Sequence, residues 1–260
     1  MIPRTQPPWV ERFDIVDTVR DGDLVAIGGV GGSRKPMALV RALADAGIRD
    51  LRIVSVLGGI DVDYLLASGC VAEVHTAGVA IDGVGMAPRY RQARQNAEVA
   101  VIEWSEGSLH AALEAAARGL PSLPCTMSPD SDVVTVNESL RAVADPFAAT
   151  PVVYARALAP DVALLHVPTA SAAGDLFIDG DPGFDAVIAC ASSTVVASVE
   201  DVCERPGHEA ALSRIWVDVV VHSPGGAWPT ACYPFSAADG AALGAWVKSH
   251  GDPAALGERP

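Results

Sequence analysis

The sequence predicts an α/β fold, a single open, mostly parallel, doubly wound sheet with helices on both faces. Three observations carry that expectation. Strand-length apolar runs alternate with helix-period segments, and most of the strand runs stop at glycine or proline. The runs are also continuously apolar, as strands covered on both faces are. Of the 260 residues half are hydrophobic and 19% are charged, enough to build a substantial core. No internal repeat or low-complexity linker interrupts the pattern, so residues 1–260 are expected to form one domain.

The elements follow in order. Asp23 to Gly29 reads as a buried strand. Pro36 to Ala46 reads as a helix, with apolar positions 36, 39, 40 and 43 on one face, proline in the first turn and Gly47 as the stop. Leu51 to Leu57 is the next strand, completing a strand–helix–strand unit that implies a parallel sheet with a right-handed crossover. A short helix near 62–68 and strand material over 71–79 follow, then a strand at Val99–Trp104 and a helix over Glu106–Arg118. The proline-rich stretch near 121–160 has weak periodicity and is expected to be an irregular connector. Strands at Val162–Val167, Thr194–Val199 and Ile215–Val221, with helices near Asp185–Ser192 and over Ala237–Ser249, close the fold.

Charge excludes several functions. Eighteen Lys and Arg stand against 32 Asp and Glu, a net −14 with only two lysines, Lys35 and Lys248. A field of that sign repels nucleic acid and offers no polybasic membrane patch. The first residues lack the apolar run of a secretory signal, and the apolar stretch 186–199 is too short and polar to span a bilayer. Five scattered cysteines (Cys70, Cys125, Cys190, Cys203, Cys232) without a CxxC pair argue against a disulfide framework and a zinc site, so a cytoplasmic protein is expected.

The densest chemical signal is Gly28-Gly29-Val30-Gly31-Gly32-Ser33-Arg34-Lys35, between a buried strand and a helix start. Glycines there permit close backbone approach, free N–H groups favour an anion, and Arg34 and Lys35 add positive charge. The spacing is neither a Walker A loop nor the dinucleotide fingerprint, whose third glycine is replaced by Arg34. A tight turn without a ligand is the structural alternative.

Asp21 to Gly29 through Pro36 resembles the signature of the A-type (alpha) chain of family I coenzyme A transferases, departing at Val30 and Arg34. Arg34–Leu39, Gly119–Pro124, Pro160–His166 and Pro224–Thr230 resemble the glutaconate-type alpha chains, so the likeness spans nearly the whole chain. The resemblance implies an open, mostly parallel α/β fold and half of an active site. A B-type (beta) subunit would complete it in a heterotetramer, with no metal or prosthetic group and with a coenzyme A thioester as substrate. The family's usual nucleophile, a glutamate in Ser-Glu-Asn-Gly on the beta chain, is absent from this sequence. The leading expectation is therefore the A-type subunit of an enzyme moving CoA between an acyl-CoA and a carboxylic acid.

One carboxylate has its own reading. Alternation in Val99–Ser105 puts Val99, Val101 and Glu103 on one face, so Glu103 continues an apolar stripe to the strand's C-terminal end. Ser105 suits the N-cap of the next helix, and ligands of open α/β sheets bind beyond strand C-termini. A carboxylate capping a neighbouring helix is the structural alternative. Glu103–Leu109 also resembles a divergent branch of the superfamily that hydrolyses a carbon–carbon bond in a cyclic CoA-linked diketone during steroid ring breakdown. By that resemblance Glu103 is catalytic, with Glu106 the weaker candidate. Gly28, Gly29, Gly31, Gly32, Arg34, Lys35, Gly225 and Gly226 are the expected substrate-binding residues, with Thr230 beside them.

Other features weigh less. The six histidines show no metal-ligand spacing, and His166, near a strand end, reads as a core histidine that could reach the cleft. Arg89, Arg91 and Arg94 could hold phosphates or form a solvated helix face. Cys70 has no activating neighbour. A non-enzymatic effector-binding domain shares this topology, but the segment before Asp21 is too short for a DNA-binding helix pair.

Overall fold

The computed structural model describes residues 8–257 apart from Arg12, Ala148, Arg205, Pro206 and His208. The chain begins with β1 (Trp9–Val10), a 3-10 turn, β2 (Leu24–Ile27) and α1 (Met37–Asp45). It continues through β3 (Leu51–Val54), β4 (Leu57–Gly58), α2 (Ile60–Ser68), β5 (Val71–Thr76), β6 (Gly78–Ile81) and β7 (Gly85–Met86). Next come α3 (Pro88–Gln95), β8 (Ala100–Glu103) and α4 (Glu106–Ala117). Then follow β9 (Ser122–Cys125), α5 (Asp132–Val136), β10 (Leu140–Val143) and β11 (Val152–Arg156). β12 (Val162–Ser171), β13 (Leu176–Phe177), α6 (Asp185–Ala191) and β14 (Thr194–Cys203) lead to β15 (Val219–His222), α7 (Gly240–Lys248) and α8 (Pro253–Leu256).

The main sheet has the order β1-β15-β14-β12-β2-β3-β5-β8, with β13 hung on β12. Every pairing in it is parallel except β12–β13. Alternation along β2 explains the layers: Val25 and Ile27 join one core, while Leu24 and Ala26 join the other. The first core packs residues of α1, α2, α3, α7 and α8, and the second packs α4, α6 and the β9–β11 region. This is the doubly wound architecture the sequence predicts. Among the described residues no helix is long and apolar enough to cross a membrane, and the five cysteines are unpaired.

Three departures have physical reasons. The proline-rich segment folds into an antiparallel sheet of order β10-β11-β9. Its inward side chains Leu140, Val153 and Ala155 are fully buried in the core that also holds α4, but the strands are four or five residues long and β10 buries Leu140 alone, too little alternation to read. β12 and β14 run on to Ser171 and Cys203, because Thr169, Ser171 and Asp201 keep the parallel register although they are polar. The last strand starts late, at Val219, because Arg214–Trp216 forms a 3-10 turn first.

Candidate active site

Parallel strands send their C-terminal ends to one edge, so the loops after β2, β3, β5, β8, β12, β14 and β15 share that edge. The loop after β2 is closed on itself. Gly28 N–H donates to Leu164 O, Val30 and Ser33 bond reciprocally, Gly31 N–H donates to Leu57 O, and Arg34 N–H to Ala231 O. Gly29 N–H donates to Asp185 Oδ1 at 2.7 Å, Gly32 N–H to Asp82 Oδ2 at 2.7 Å and Lys35 N–H to Thr230 Oγ1 at 3.2 Å. Each N–H from Gly28 to Lys35 thus has a partner inside the chain, and two of those partners are carboxylates. Gly29 (φ +72°) is required because a Cβ there would lie 2.5 Å from Ser33 O.

The two basic side chains of the loop turn inward. Arg34 is ion-paired with Asp185 and donates to Asp181 O at 2.9 Å. Lys35 is fully buried and lies 3.2 Å from Asp61 Oδ2, 3.1 Å from Ser55 Oγ and 2.9 Å from Leu57 O. The expectation of free N–H groups and a spare positive charge therefore meets a junction already satisfied within the chain. The outer side of the loop borders a cleft of about 290 Å³ walled by Asp179, Asp181 and Tyr233.

The structure joins this loop to the second glycine pair. Ala231 N–H donates to Gly32 O, and Gly226 O accepts from Ala38 N–H. Gly225 N–H is bonded to Glu200, whose other oxygen lies 3.1 Å from His166 Nε2. His166 Nδ1 is 2.8 Å from Ser198 Oγ. Among the described residues His166, Glu200 and Cys232 form one group of metal-ligand type, with ligand atoms within 4.8 Å of one another. Burial, then the charge of Glu200, pushes the Cys232 thiol up to about 12. Glu200 and Gly225 line a second cleft of about 390 Å³ with His222, Trp228 and Phe235.

Glu103 lies apart from these residues. It ends β8, the last strand of the sheet, opposite Thr76 of β5. Three strand spacings separate β8 from β2, about 14 Å. The Glu103 side chain is ion-paired with Arg94 of α3 and is 38% exposed. Its carbonyl accepts from Asn137 Nδ2 at 2.9 Å. Ser105 caps α4 in a capping box with Ser108, as its spacing predicts. The strand end is held from below by Trp104, buried, whose indole N–H donates to His75 Nδ1 at 3.2 Å. Indole is only a donor, so His75 carries its proton on Nε2 and gives it to Glu73 at 2.7 Å. Burial lowers the His75 pKa, which keeps this ring neutral.

The weaker candidates separate. Glu106 is exposed on the first turn of α4. Arg89 donates to Gln92 and Arg91 lines a cavity with Val247 and His250, so only Arg94 of the arginine cluster reaches Glu103. Cys70 is buried and its thiol is pushed up by burial. His208 lies outside the described residues. Sequence reading missed Asp61, Asp82, Asp185 and Glu200. Asp61 and Asp185 are buried acids inside apolar helices, and Glu200 ends a long apolar run, so each could have been flagged as an acid needing a partner.

The model of the coenzyme A transferase family matches residues 14–223. The chain belongs to that family. It is similar to the cholesterol ring-cleaving hydrolase IpdA subunit of Rhodococcus jostii (strain RHA1), at 36% identity over 82% of this chain and 77% of that one. It is also similar to the A-type subunit of glutaconate CoA-transferase of Acidaminococcus fermentans, at 30% identity over 84% and 75% of the two chains. Among solved structures, the decarboxylase AibA/AibB superposes with a TM-score of 0.87 at 31% identity, covering 95% of this chain and 96% of that one. The glutaconate CoA-transferase structure gives 0.86 at 27% identity, over 93% and 83%. The chain is thus an A-type subunit of the coenzyme A transferase family, with transferases and a ring-cleaving hydrolase both among its relatives.

Proposed function

We propose that the chain is the A-type subunit of a heteromeric enzyme acting on a CoA thioester, and that it hydrolyses a carbon–carbon bond in a cyclic CoA-linked diketone. The observation that carries this reading is the placement of Glu103. It is a half-exposed carboxylate at a strand C-terminus, aimed by Arg94 and backed by the Trp104–His75–Glu73 chain. The 36% identity to a ring-cleaving hydrolase subunit supports it.

In this chemistry Glu103 takes a proton from water as the water oxygen bonds to one ring carbonyl carbon. The tetrahedral alkoxide collapses to a carboxylic acid and breaks the bond to the carbon between the two carbonyls. The electron pair leaves as the enolate of the second carbonyl, and the proton held by Glu103 returns to it, so one water is added overall. A B-type subunit in a heterotetramer closes the cleft, CoA is substrate rather than a resident cofactor, and a reducing cytoplasm suits the five unpaired cysteines.

The transferase reading is favoured by the likeness to glutaconate CoA-transferase. There a glutamate of the partner would carry CoA as a thioester, and Glu103 would only shape the cleft. Glu103→Gln in the two-subunit complex separates the two. Loss of turnover on a cyclic diketone CoA ester by about a hundredfold or more is the expected result. A near-neutral variant, together with a glutamyl-CoA thioester trapped by hydroxylamine on the partner, overturns the hydrolase.

A further inference from the structure

The alternation that builds the first core changes character towards the C-terminal ends of β12 and β14. Leu164 and Val196, opposite each other in the parallel register, belong to that core. Two residues on, the same face carries His166 opposite Ser198, and Glu200 follows after two more. Cys232, in the loop after β15, brings its sulfur to this place. The ligand atoms of His166, Glu200 and Cys232 lie within 4.8 Å of one another. His166, Ser198 and Cys232 are fully buried, and Glu200 is buried with them.

Hydrogen placement shows what the cluster needs. Ser198 has one hydroxyl proton and gives it to Leu165 O at 3.2 Å. It therefore accepts from His166 Nδ1–H at 2.8 Å, which leaves a lone pair on Nε2 of the neutral ring. That lone pair faces Glu200 Oε1 at 3.1 Å, so two acceptors meet where a positive charge belongs. Gly225 N–H holds the other carboxylate oxygen. Gly226 leaves room for the ring, since a Cβ there would lie 2.9 Å from His166 Cε1. A proton between Nε2 and Oε1 would satisfy that pair and leave out the third member. The Cys232 thiol is in no disulfide and in no hydrogen bond among the described residues.

We propose that His166 Nε2, Glu200 and Cys232 bind one thiophilic divalent cation of the zinc class. Imidazole, carboxylate and thiolate are the usual ligands of such an ion. With bonds of about 2.0–2.3 Å, a tetrahedral ion sets its ligand atoms roughly 3.3–3.6 Å apart. The His166–Glu200 pair at 3.1 Å is already near that spacing. The Nδ1–H bond to Ser198 is the outer hydrogen bond that orients a metal-bound histidine. As the metal–sulfur bond forms, the thiol proton leaves to solvent. Water fills the fourth position from the cleft of about 390 Å³ that Glu200 lines.

Five strand spacings, roughly 24 Å, separate β14 from β8, so the ion stands apart from Glu103 and from the function proposed above. Its effect is to pin the loop that carries Cys232 onto β12 and β14. The sequence gives no ligand spacing for it, because positions 166, 200 and 232 come from two strands and a loop. The expectation of a metal-free chain is thereby reversed.

The test uses the intact two-subunit complex, reduced, stripped with a chelator and titrated with Co²⁺ or Zn²⁺ alone. Wild type should take up one Co²⁺ per A-type chain with a thiolate-to-cobalt charge-transfer band in the near ultraviolet, and Zn²⁺ should displace it and bleach the band. Cys232→Ser should lose the band, whereas Cys203→Ser keeps it. Ser198→Ala should weaken binding about tenfold, and Glu200→Gln by more. Zn²⁺ should raise the melting temperature of wild type and leave that of Cys232→Ser unchanged. A wild-type complex without the band, or a band that survives in Cys232→Ser, overturns the site. If Cys232→Ser does not fold, undiminished Co²⁺ affinity in both Ser198→Ala and Glu200→Gln overturns it equally.

Discussion

Two places on the same sheet edge, the loop after the central strand β2 and the end of the terminal strand β8, invert what their sequences advertise. The loop is rich in glycine and charge, yet each of its N–H groups is bonded within the chain and its two cations face buried carboxylates. The end of β8 offers a single carboxylate with one exposed ion pair. Density of polar signal marks the place where the fold is locked. The polar capacity of Glu103 is only partly spent, which is what the proposed chemistry needs.

The comparison breaks most visibly at Lys35. Replacing it by Met leaves Asp61 buried beside Ser55 without its cation, which should cost about 3–5 kcal/mol in denaturant unfolding. Gly31→Val should also destabilise the fold, by about 1–3 kcal/mol, because a branched residue is strained at a φ of +51° and its Cβ would displace the Asp82 carboxylate that holds Gly32 N–H. A Lys35→Met complex as stable as wild type would show that the loop is not the lock described.

Glu103→Gln is the mirror experiment. Turnover should fall about a hundredfold or more, roughly 2.7 kcal/mol of barrier, while unfolding shifts by less than about 0.5 kcal/mol. A stability loss matching the activity loss would erase the distinction between the two places.

Asp63 sharpens the comparison through pH. It is buried, accepts from Tyr90 N–H at 2.6 Å and Trp246 Nε1–H at 2.7 Å, and burial pushes its carboxyl up to about 6. Because the folded state holds this proton more tightly than the unfolded chain, stability from Asp63 is greatest below about pH 4 and is lost as pH rises through 6. The difference in unfolding free energy, wild type minus Asp63→Asn, should fall by about 2–3 kcal/mol between pH 4 and 7. A flat difference would show that Asp63 is not buried as described.

Arg94→Gln should have the smallest effect. The pair is 54% and 38% exposed, so stability should change by no more than about 1 kcal/mol. Activity should fall only a few-fold, since Arg94 aims Glu103 without touching the reacting atoms. A loss as deep as that of Glu103→Gln would make Arg94 part of the chemistry.

What was legible in the sequence follows from range. The runs that became β2, β3, β8, α1 and α4 are local patterns, and their bounds fall within a few residues of the expected ones. Ser105 as a cap and Glu103 at a strand end were equally local. The partners of Gly29, Arg34 and Lys35 were not, because Asp185 stands 151 residues from Arg34 and Asp61 answers Lys35 across a crossover. A glycine-rich loop that binds an anion and one that binds its own acids look alike until those acids are placed. The small sheet was hidden for another reason, its strands being only four or five residues long, with Leu140 the sole buried residue of β10.

The unequal strand lengths have a further consequence. β12 and β14 are ten residues each and pair in parallel register from Val162 and Thr194 to Ser171 and Cys203, whereas β8 is four residues long and has a single strand neighbour. Amides of the long pair should exchange with deuterium only when the whole chain opens, while those of β8 and the start of α4 exchange through local fluctuations. The edge that carries Glu103 can thus breathe at little thermodynamic expense, hinged against a spine that stays shut.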